Sequence, residues 1–174
     1  MPATSAIYLI GMMGVGKSTI GELLAARLGR IFIDTDREIE KQAGQRISEI
    51  FETQGEAGFR RIEAQVVSAR VTDGSVIALG GGAVAQSGVI ERLLAEGEVI
   101  FLTANPDVLL ARIGDPSGRP LLAGLDPAGR VDRLARLLEE RLPFYLLARV
   151  TVDASGTAEQ TVDRIIDALA GVSA

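Results

Sequence analysis

The sequence contains no cysteine and no histidine, and this absence limits its chemistry before any motif is considered. Without cysteine there is no disulfide framework, and without thiolate or imidazole ligands the metal sites that depend on them are excluded. Catalysis therefore has to use carboxylates, Lys, Arg, hydroxyl groups or a bound hard cation.

Long apolar runs and dense clusters of positive charge are also missing. No apolar run approaches the ~20 residues of a membrane span, and no basic region precedes the short apolar segment near the N-terminus. The formal net charge is −5, without a Lys/Arg run. We therefore expect no membrane partner, no nucleic-acid partner and a cytoplasmic location. A length of 174 residues and an apolar content of 47% predict one globular domain with a full core, and we expect a monomer.

Lysine is rare in this chain, and one of its two occurrences lies in a glycine-rich stretch. Eighteen residues are basic, and all are Arg except Lys17 and Lys41. The stretch from Gly11 to Ser18 fits the phosphate-loop pattern G-x-x-x-x-G-K-[ST]. Residues 6–10 before it have the pattern of a buried strand, and residues 18–28 after it have helical apolar spacing. The alternative is a glycine-rich turn that matches by chance.

A loop between a strand and a helix can bind a polyphosphate through its backbone. Its glycines allow the N–H groups to turn inward, and the N-terminus of the following helix adds partial positive charge. In such a loop Lys17 reaches the β- and γ-phosphates, and the hydroxyl of Ser18 can bind Mg²⁺. The pattern therefore predicts a nucleotide site that also uses Gly14, Val15, Gly16 and Thr19.

Further strands are predicted from short, uniformly apolar segments at residues 31–33, 75–79, 98–102 and 149–152. Uniform apolar content is typical of strands covered on both faces, and helical patterns lie between them. The sequence therefore predicts a parallel sheet in a three-layer α/β fold. The Gly- and Pro-rich segment 114–124 is too long for an ordinary connection, which favours a functional lid.

Two aspartates follow the second predicted strand. Asp34 and Asp36 lie two residues apart, and in an extended segment such spacing directs both carboxylates the same way. Asp34 suits Mg²⁺, and Asp36 suits a substrate hydroxyl. The alternative is that one Asp caps the helix predicted at 37–41.

Three other features have ordinary explanations when each is taken alone. The triplet 80–82 consists of glycines at the end of a strand, which favours close approach of a ligand or a second anion nest over a flexible turn. Arg60 lies four residues after Glu56, as in an exposed helical ion pair. Arg141 lies in an amphipathic helix, 131–147, where Pro143 is expected to bend or end the helix.

Taken together, these motifs resemble the shikimate kinase family in order and spacing over nearly the whole chain. The motifs are Gly11 to Thr19, Asp34-Thr35-Asp36, Gly55-Glu56-x-x-Phe59-Arg60, Gly80-Gly81-Gly82, Arg119-Pro120-Leu121-Leu122 and Arg141-x-Pro143-x-Tyr145. The resemblance implies a P-loop kinase fold with a five-stranded parallel sheet flanked by helices. It also implies a single domain over residues 1–174 with a mobile lid at about 114–124.

The resemblance also implies an activity and a role for each site residue. The activity is transfer of the γ-phosphoryl group of ATP to the 3-hydroxyl of shikimate, a step of aromatic amino acid biosynthesis. Lys17, Asp36 and Arg119 are implied as catalytic residues, and Ser18 with Asp34, through water, as the Mg²⁺ site. Arg112 and Arg119 join the phosphate loop in binding ATP, and shikimate is bound by Asp36, Arg60, Gly81 and Arg141.

The pair of arginines supports this interpretation, because planar guanidinium groups bind a carboxylate with two parallel hydrogen bonds. Many relatives also carry a basic residue after the last strand that packs on adenine, and residues 153–156 offer none. Two alternatives remain at this stage. One is another small-metabolite kinase, such as gluconate kinase; the other is a nucleotide-switch module, although the chain has no N-K-x-D motif for guanine.

Overall fold

The structure is a computed structural model that describes residues 5–69, 74–114 and 118–172. Within these ranges the chain alternates strands and helices, with two short 3₁₀ turns at Ala83–Ala85 and Pro120–Leu122. The elements in chain order are β1 (Ala6–Ile10), α1 (Lys17–Leu28), β2 (Phe32–Asp34), α2 (Thr35–Ala43), α3 (Ile47–Ala69), β3 (Val76–Ala78), α4 (Val89–Glu96), β4 (Gly97–Thr103), α5 (Pro106–Ile113), α6 (Pro127–Tyr145), β5 (Val150–Asp153) and α7 (Ala158–Val172).

The five strands form one parallel sheet in the order β2-β3-β1-β4-β5. β1 lies at the centre, where Leu9 is paired with Ala78 of β3 and with Ile100 of β4. Because all strands run the same way, the segments that follow them meet at one edge of the sheet. This edge brings together the phosphate loop after β1, the aspartates after β2 and the glycines after β3. The prediction of an α/β fold with a five-stranded parallel sheet flanked by helices is confirmed.

The hydrophobic core is divided into two clusters. The larger one surrounds the sheet: all five residues of β1 are at most 3% exposed, and the five middle residues of β4 are buried. The smaller one lies between α2 and α3 and contains Ile39, Ile50, Phe59 and Val66. α2 and α3 therefore have a hydrophobic cluster of their own, which holds the two helices together.

α3 consists of two helical segments that meet at a kink at Gly55 (φ 68°, ψ −179°). Two local predictions differ from the structure. β2 begins at Phe32 and leaves out Ile31, which is 72% exposed. Pro143, which was expected to bend or end its helix, does not end it. α6 continues to Tyr145, a fully buried residue whose packing holds the last turn in place although Pro143 donates no hydrogen bond.

None of the helices within the described ranges is long and apolar enough to cross a membrane.

Candidate active site

The phosphate loop has the backbone geometry that its sequence predicts. Gly11, Gly14 and Gly16 have φ values of 141°, 80° and 100°, which side chains rarely allow. At Gly11 a Cβ atom would also collide with the carbonyl oxygen of Leu102 on β4. α1 begins directly after Gly16, and no side chain caps its N-terminus. The N–H groups of its first turn are therefore available to an anion.

Lys17 lies against the loop that contains it. Its Nζ donates to the carbonyl oxygens of Gly11 at 2.8 Å and Met12 at 3.0 Å. Burial lowers the pKa of Lys17 to about 8, with Asp36 acting against this shift and Arg119 adding to it. An anionic ligand beside Nζ favours the charged form of this amine, so proton uptake and phosphate binding are linked.

Ser18 and Asp34 are in direct contact. The hydroxyl of Ser18 donates to Asp34 Oδ2 at 2.6 Å, while Asp34 Oδ1 accepts from the backbone N–H groups of Asp36 and Arg37. Asp34 therefore caps α2 and faces the phosphate loop with its other oxygen. The expected extended segment was wrong, because β2 ends at Asp34 and α2 begins at Thr35. The two aspartates come together through the helix cap instead.

The larger of two cavities at this edge has a volume of about 470 Å³. It extends from the phosphate loop to the segment that follows β5. Every residue that the sequence assigns to ATP lines it: Gly14, Val15, Gly16, Lys17, Ser18, Thr19, Arg112 and Arg119. Four further residues of the lining, Ala154, Gly156, Thr157 and Ala158, were not predicted from the sequence.

Arg112 connects the two ends of this cavity. Its guanidinium donates to the carbonyl oxygen of Val15 in the phosphate loop at 3.0 Å. The same group donates to the carbonyl oxygens of Ala154, Ser155 and Gly156 at 2.8, 3.3 and 2.8 Å. Although residues 153–156 contain no basic residue, a basic side chain from α5 is thus present at this segment.

The second cavity is smaller and contains the predicted substrate residues Asp36, Arg60, Gly81 and Arg141. Arg141 is only 4% exposed, although it is charged. Arg60 forms the expected ion pair with the exposed Glu56 at 3.1 Å, and its guanidinium carbon lies 5.1 Å from the centre of the Phe59 ring. Two guanidinium groups at one wall provide a site for a carboxylate.

Glu63 lines the smaller cavity and was not predicted from the sequence as a site residue. It is fully buried and accepts a hydrogen bond from Arg60 Nη1 at 2.6 Å through Oε2, while Oε1 has no hydrogen-bond partner among the described residues. Burial raises the pKa of Glu63, and the neighbouring Arg60 opposes that shift. Its position three residues after Arg60 on a helix was the available signal, because residues with this spacing share a face.

The glycine triplet leaves space for these side chains and does not form an anion-binding nest. None of these three glycines belongs to the described glycines that have a positive φ. A Cβ atom at Gly80 would lie 2.6 Å from Glu63 Oε1 and 2.7 Å from Asp36 Oδ1, and one at Gly82 would lie 2.5 Å from Arg60 Nη2. The predicted second anion nest is therefore replaced by a backbone surface without side chains. Four charged residues pack on this surface: Glu63 and Asp36 at Gly80, Arg141 at Gly81 and Arg60 at Gly82.

Tyr145 fixes the middle of the triplet. Its hydroxyl donates to the carbonyl oxygen of Gly81 at 2.5 Å, and its ring stacks on Phe101 with the centres 4.9 Å apart. Burial raises the pKa of Tyr145 to about 12, although Arg141 also hydrogen-bonds to this hydroxyl and lowers the pKa. The phenol therefore remains a neutral donor at physiological pH.

Three residues line both cavities: Met13, Asp36 and Arg119. Burial raises the pKa of Asp36, Asp34 adds to the shift, and Lys17 opposes it. A group that moves from one cavity to the other has to pass this carboxylate and this guanidinium. The fold and the site thus define a P-loop phosphotransferase that acts on a small acidic molecule.

Comparisons with known proteins assign the chain more closely. A sequence profile described as shikimate kinase matches residues 13–170. A shikimate kinase of Caldanaerobacter subterraneus is 44% identical over 93% of this chain and 94% of its own length. One of Symbiobacterium thermophilum is 49% identical over 82% of both chains. Among solved structures, a shikimate kinase of Acinetobacter baumannii in complex with shikimate has a TM-score of 0.90, with 37% identity over 96% of this chain and 93% of the other.

The chain belongs to the shikimate kinase family. Its activity is therefore that of an ATP-dependent kinase acting on shikimate, and the nucleotide-switch alternative is not supported. A gluconokinase of Sinorhizobium meliloti also aligns, with a TM-score of 0.57 and 18% identity over 97% of this chain and 93% of the other. This likeness reflects the fold alone, so the gluconate kinase alternative is disfavoured.

Proposed function

We propose that this chain transfers the γ-phosphoryl group of ATP to the 3-hydroxyl of shikimate where its two cavities meet. The observation that carries the proposal is the common wall, which contains Asp36 and Arg119. Nucleotide in the larger cavity and a hydroxy acid in the smaller one would face each other across this wall. Single-domain organisation over residues 1–174, a monomeric state and a cytoplasmic location belong to the same proposal.

ATP binds with its phosphates on the loop that precedes α1. The N–H groups of Gly14, Val15 and Gly16 and the start of α1 donate to phosphate oxygens, and Thr19 lines the same end. Lys17 exchanges the carbonyl oxygens of Gly11 and Met12 for phosphate oxygens and neutralises charge that develops during transfer. The nucleoside lies toward Arg112, whose guanidinium holds the segment at 154–156 in place.

The contact between Ser18 and Asp34 fits a Mg²⁺ ion that accompanies ATP. A hydroxyl oxygen and a carboxylate oxygen 2.6 Å apart are hard donors beside the phosphate loop. The described residues contain no cluster of three acidic side chains able to hold a metal, and Mg²⁺ bound mainly by phosphates and water requires none. Ser18 would bind the ion directly and Asp34 through water. When bound, the ion supplies positive charge to the β- and γ-phosphate oxygens.

Shikimate binds in the smaller cavity through its carboxylate and hydroxyl groups. Arg60 and Arg141 bind the carboxylate, and the backbone N–H of Gly81 adds a donor. Asp36 accepts a hydrogen bond from the 3-hydroxyl, since its carboxylate borders both cavities. This carboxylate directs the nucleophile and receives its proton, with positioning as the larger contribution in a loose transition state.

Arg119 completes the site from the segment that was predicted to be a lid. Residues 115–117 of that segment lie outside the described residues, whereas Arg119 borders both cavities. A guanidinium at this point stabilises the charge on the phosphoryl group as it passes from donor to acceptor.

A coupled assay of ADP release tests the assignment. The purified chain would be supplied with ATP and Mg²⁺ against a panel of hydroxy acids that includes shikimate and gluconate. We expect shikimate to give the highest kcat/KM, with no turnover when Mg²⁺ is removed by chelation. Preference for gluconate, or ADP release that does not depend on an added acid, would contradict the proposal.

A further inference from the structure

Gln86 contacts a residue of the smaller cavity from a segment that none of the family motifs covers. It follows the 3₁₀ turn Ala83–Ala85, and its backbone is held on both sides. The N–H of Gln86 donates to Ala83 at 3.2 Å, and its carbonyl accepts from the N–H of Val89 at 3.2 Å. The side chain therefore starts from a fixed point directly behind the glycine triplet.

The amide of Gln86 reaches the buried carboxylate of Glu63 on α3. Its Nε2 donates to Glu63 Oε2 at 2.7 Å, and the same oxygen accepts from Arg60 Nη1 at 2.6 Å. Two donors from different elements therefore converge on one oxygen. Because a carboxylate rotates easily about its last bond, these two hydrogen bonds determine where the other oxygen points.

That other oxygen, Glu63 Oε1, lies beside the glycine triplet. It is buried, has no hydrogen-bond partner within the described part of the chain, and lies beside the position that a Cβ atom of Gly80 would take. Asp36 Oδ1 borders the same point. The orientation of Glu63, which lines the smaller cavity, therefore affects two things at once: the guanidinium of Arg60 and a buried acceptor oxygen next to Asp36.

The chemical type of residue 86 matters for this arrangement. A neutral amide stabilises the ionised Glu63 by one hydrogen bond and brings no positive charge of its own. A cationic side chain at this position would compete with Arg60 for Glu63, whereas an apolar one would leave Oε2 with Arg60 alone. Gln86 thus gives Glu63 Oε2 a second donor without adding a positive charge that would compete with Arg60.

We propose that Gln86 is a positioning residue for the acid substrate, acting through Glu63 on Arg60. This inference rests on the proposed function, because it takes the smaller cavity as the site of shikimate. Gln86 does not border either cavity, so its effect is confined to the orientation of residues that do.

The test replaces the amide by a side chain of similar length without a donor. In Gln86→Met we expect KM for shikimate to rise about five- to twentyfold. The variant loses a hydrogen bond to the carboxylate of Glu63, which contacts the arginine that binds the ligand. We expect kcat and the KM for ATP to stay within about twofold, since the phosphate loop is not touched. The matched control is Gln65→Met, the same change at an exposed position of α3, which should leave all three constants unchanged.

A double-mutant cycle separates this role from a general loss of packing. In a Glu63→Gln background, Gln86→Met should add less than about twofold to KM for shikimate, because the residue through which it acts is already changed. An equal effect of Gln86→Met in both backgrounds, or a fall in kcat that matches the rise in KM, would overturn the inference. If the unaltered protein phosphorylates shikimate and Gln86→Met behaves like the control, only the inference fails. If the unaltered protein does not phosphorylate shikimate, the proposed function fails and the inference with it.

Discussion

At the scale of single residues, the site depends on charges that are kept in unfavourable surroundings. Lys17, Asp36 and Glu63 all have pKa values moved by burial toward their neutral forms. Such pKa shifts are typical of functional sites, where the charges of a bound ligand balance those of the buried groups. A surface ion pair does not require them.

Lys17 should give the protein a pH-dependent stability of unusual sign. Its pKa is about 8 in the folded chain, against 10.5 for an ordinary exposed lysine, so the unfolded state binds more protons between these values. The contribution of Lys17 to the free energy of unfolding should therefore rise as the pH increases from about 8 to 10.5. Below pH 8 the buried ammonium destabilises the folded state by its full amount. Denaturant unfolding of the unaltered protein and of Lys17→Met across this range measures the difference. A difference that is constant with pH would contradict the lowered pKa.

Replacement of the two substrate arginines by lysine should not be conservative. We expect Arg60→Lys and Arg141→Lys each to weaken shikimate binding by at least about tenfold, because an ammonium cannot form the parallel pair of bonds that a guanidinium forms. The affinity for ATP should change little. Separate equilibrium titrations of the two ligands test this, and a parallel loss of ATP affinity would mean that these residues maintain the structure.

Asp36→Asn tests the role of the carboxylate. The amide keeps the size of the side chain and an acceptor oxygen but removes its capacity to take a proton at neutral pH. If Asp36 receives the proton of the hydroxyl, kcat should fall by about 10²-fold or more. Steady-state kinetics beside a thermal melt decide the matter. A folded variant that retains most of its kcat would assign Asp36 to positioning alone.

At the scale of elements, the turn after β3 shows why three consecutive glycines are needed although none requires a positive φ. Gly82 has φ −99°, which any residue can adopt, yet its Cα is covered by the guanidinium of Arg60. The three glycines are thus needed because side chains from distant parts of the sequence occupy the space in which a Cβ atom would lie. Three consecutive glycines predict a close contact with their backbone, but they do not indicate that the chain's own side chains make it.

Gly82→Ala should therefore displace Arg60 without unfolding the protein. The new methyl group would lie 2.5 to 2.8 Å from three guanidinium atoms, and the end of a long side chain can move. We expect KM for shikimate to rise about tenfold with a small change in melting temperature, since the backbone itself is not strained. Gly171→Ala is the control, because no atom outside its chain neighbours and the backbone of its own helix lies within 4 Å of the added Cβ. An unchanged KM in Gly82→Ala would show that Arg60 does not bind the substrate.

At the scale of the whole molecule, sequence patterns predicted much of the fold and most of the candidate site. The strands were predicted because buried parallel strands are uniformly apolar, and β4 is an example. Their spatial order does not follow from these patterns, because periodicity indicates that a segment is buried and not which neighbour buries it. Glu63 and Gln86 were missed for a related reason. Each is an ordinary polar residue in its own segment, and only the packing of α3 on the turn after β3 brings them together.

Arg119 links the two cavities, and its removal should affect the chemical step more than binding. We expect Arg119→Ala to lower kcat by at least ~10²-fold, below the ~10³ to 10⁵ of arginines supplied to related sites, because Lys17 and Mg²⁺ share the charge. Shikimate affinity measured without nucleotide should change little. Steady-state kinetics and an equilibrium titration test this together. A normal kcat with a raised KM would identify a ground-state binding residue instead.

The wall that the two cavities have in common also has a thermodynamic consequence. Met13, Asp36 and Arg119 cannot adjust to a ligand on one side without presenting a changed surface to the other. Under the proposed assignment of the cavities, each substrate is an effector of the other, and the coupling is reciprocal. Whatever factor ATP imposes on the affinity for the acid, the acid must impose on the affinity for ATP.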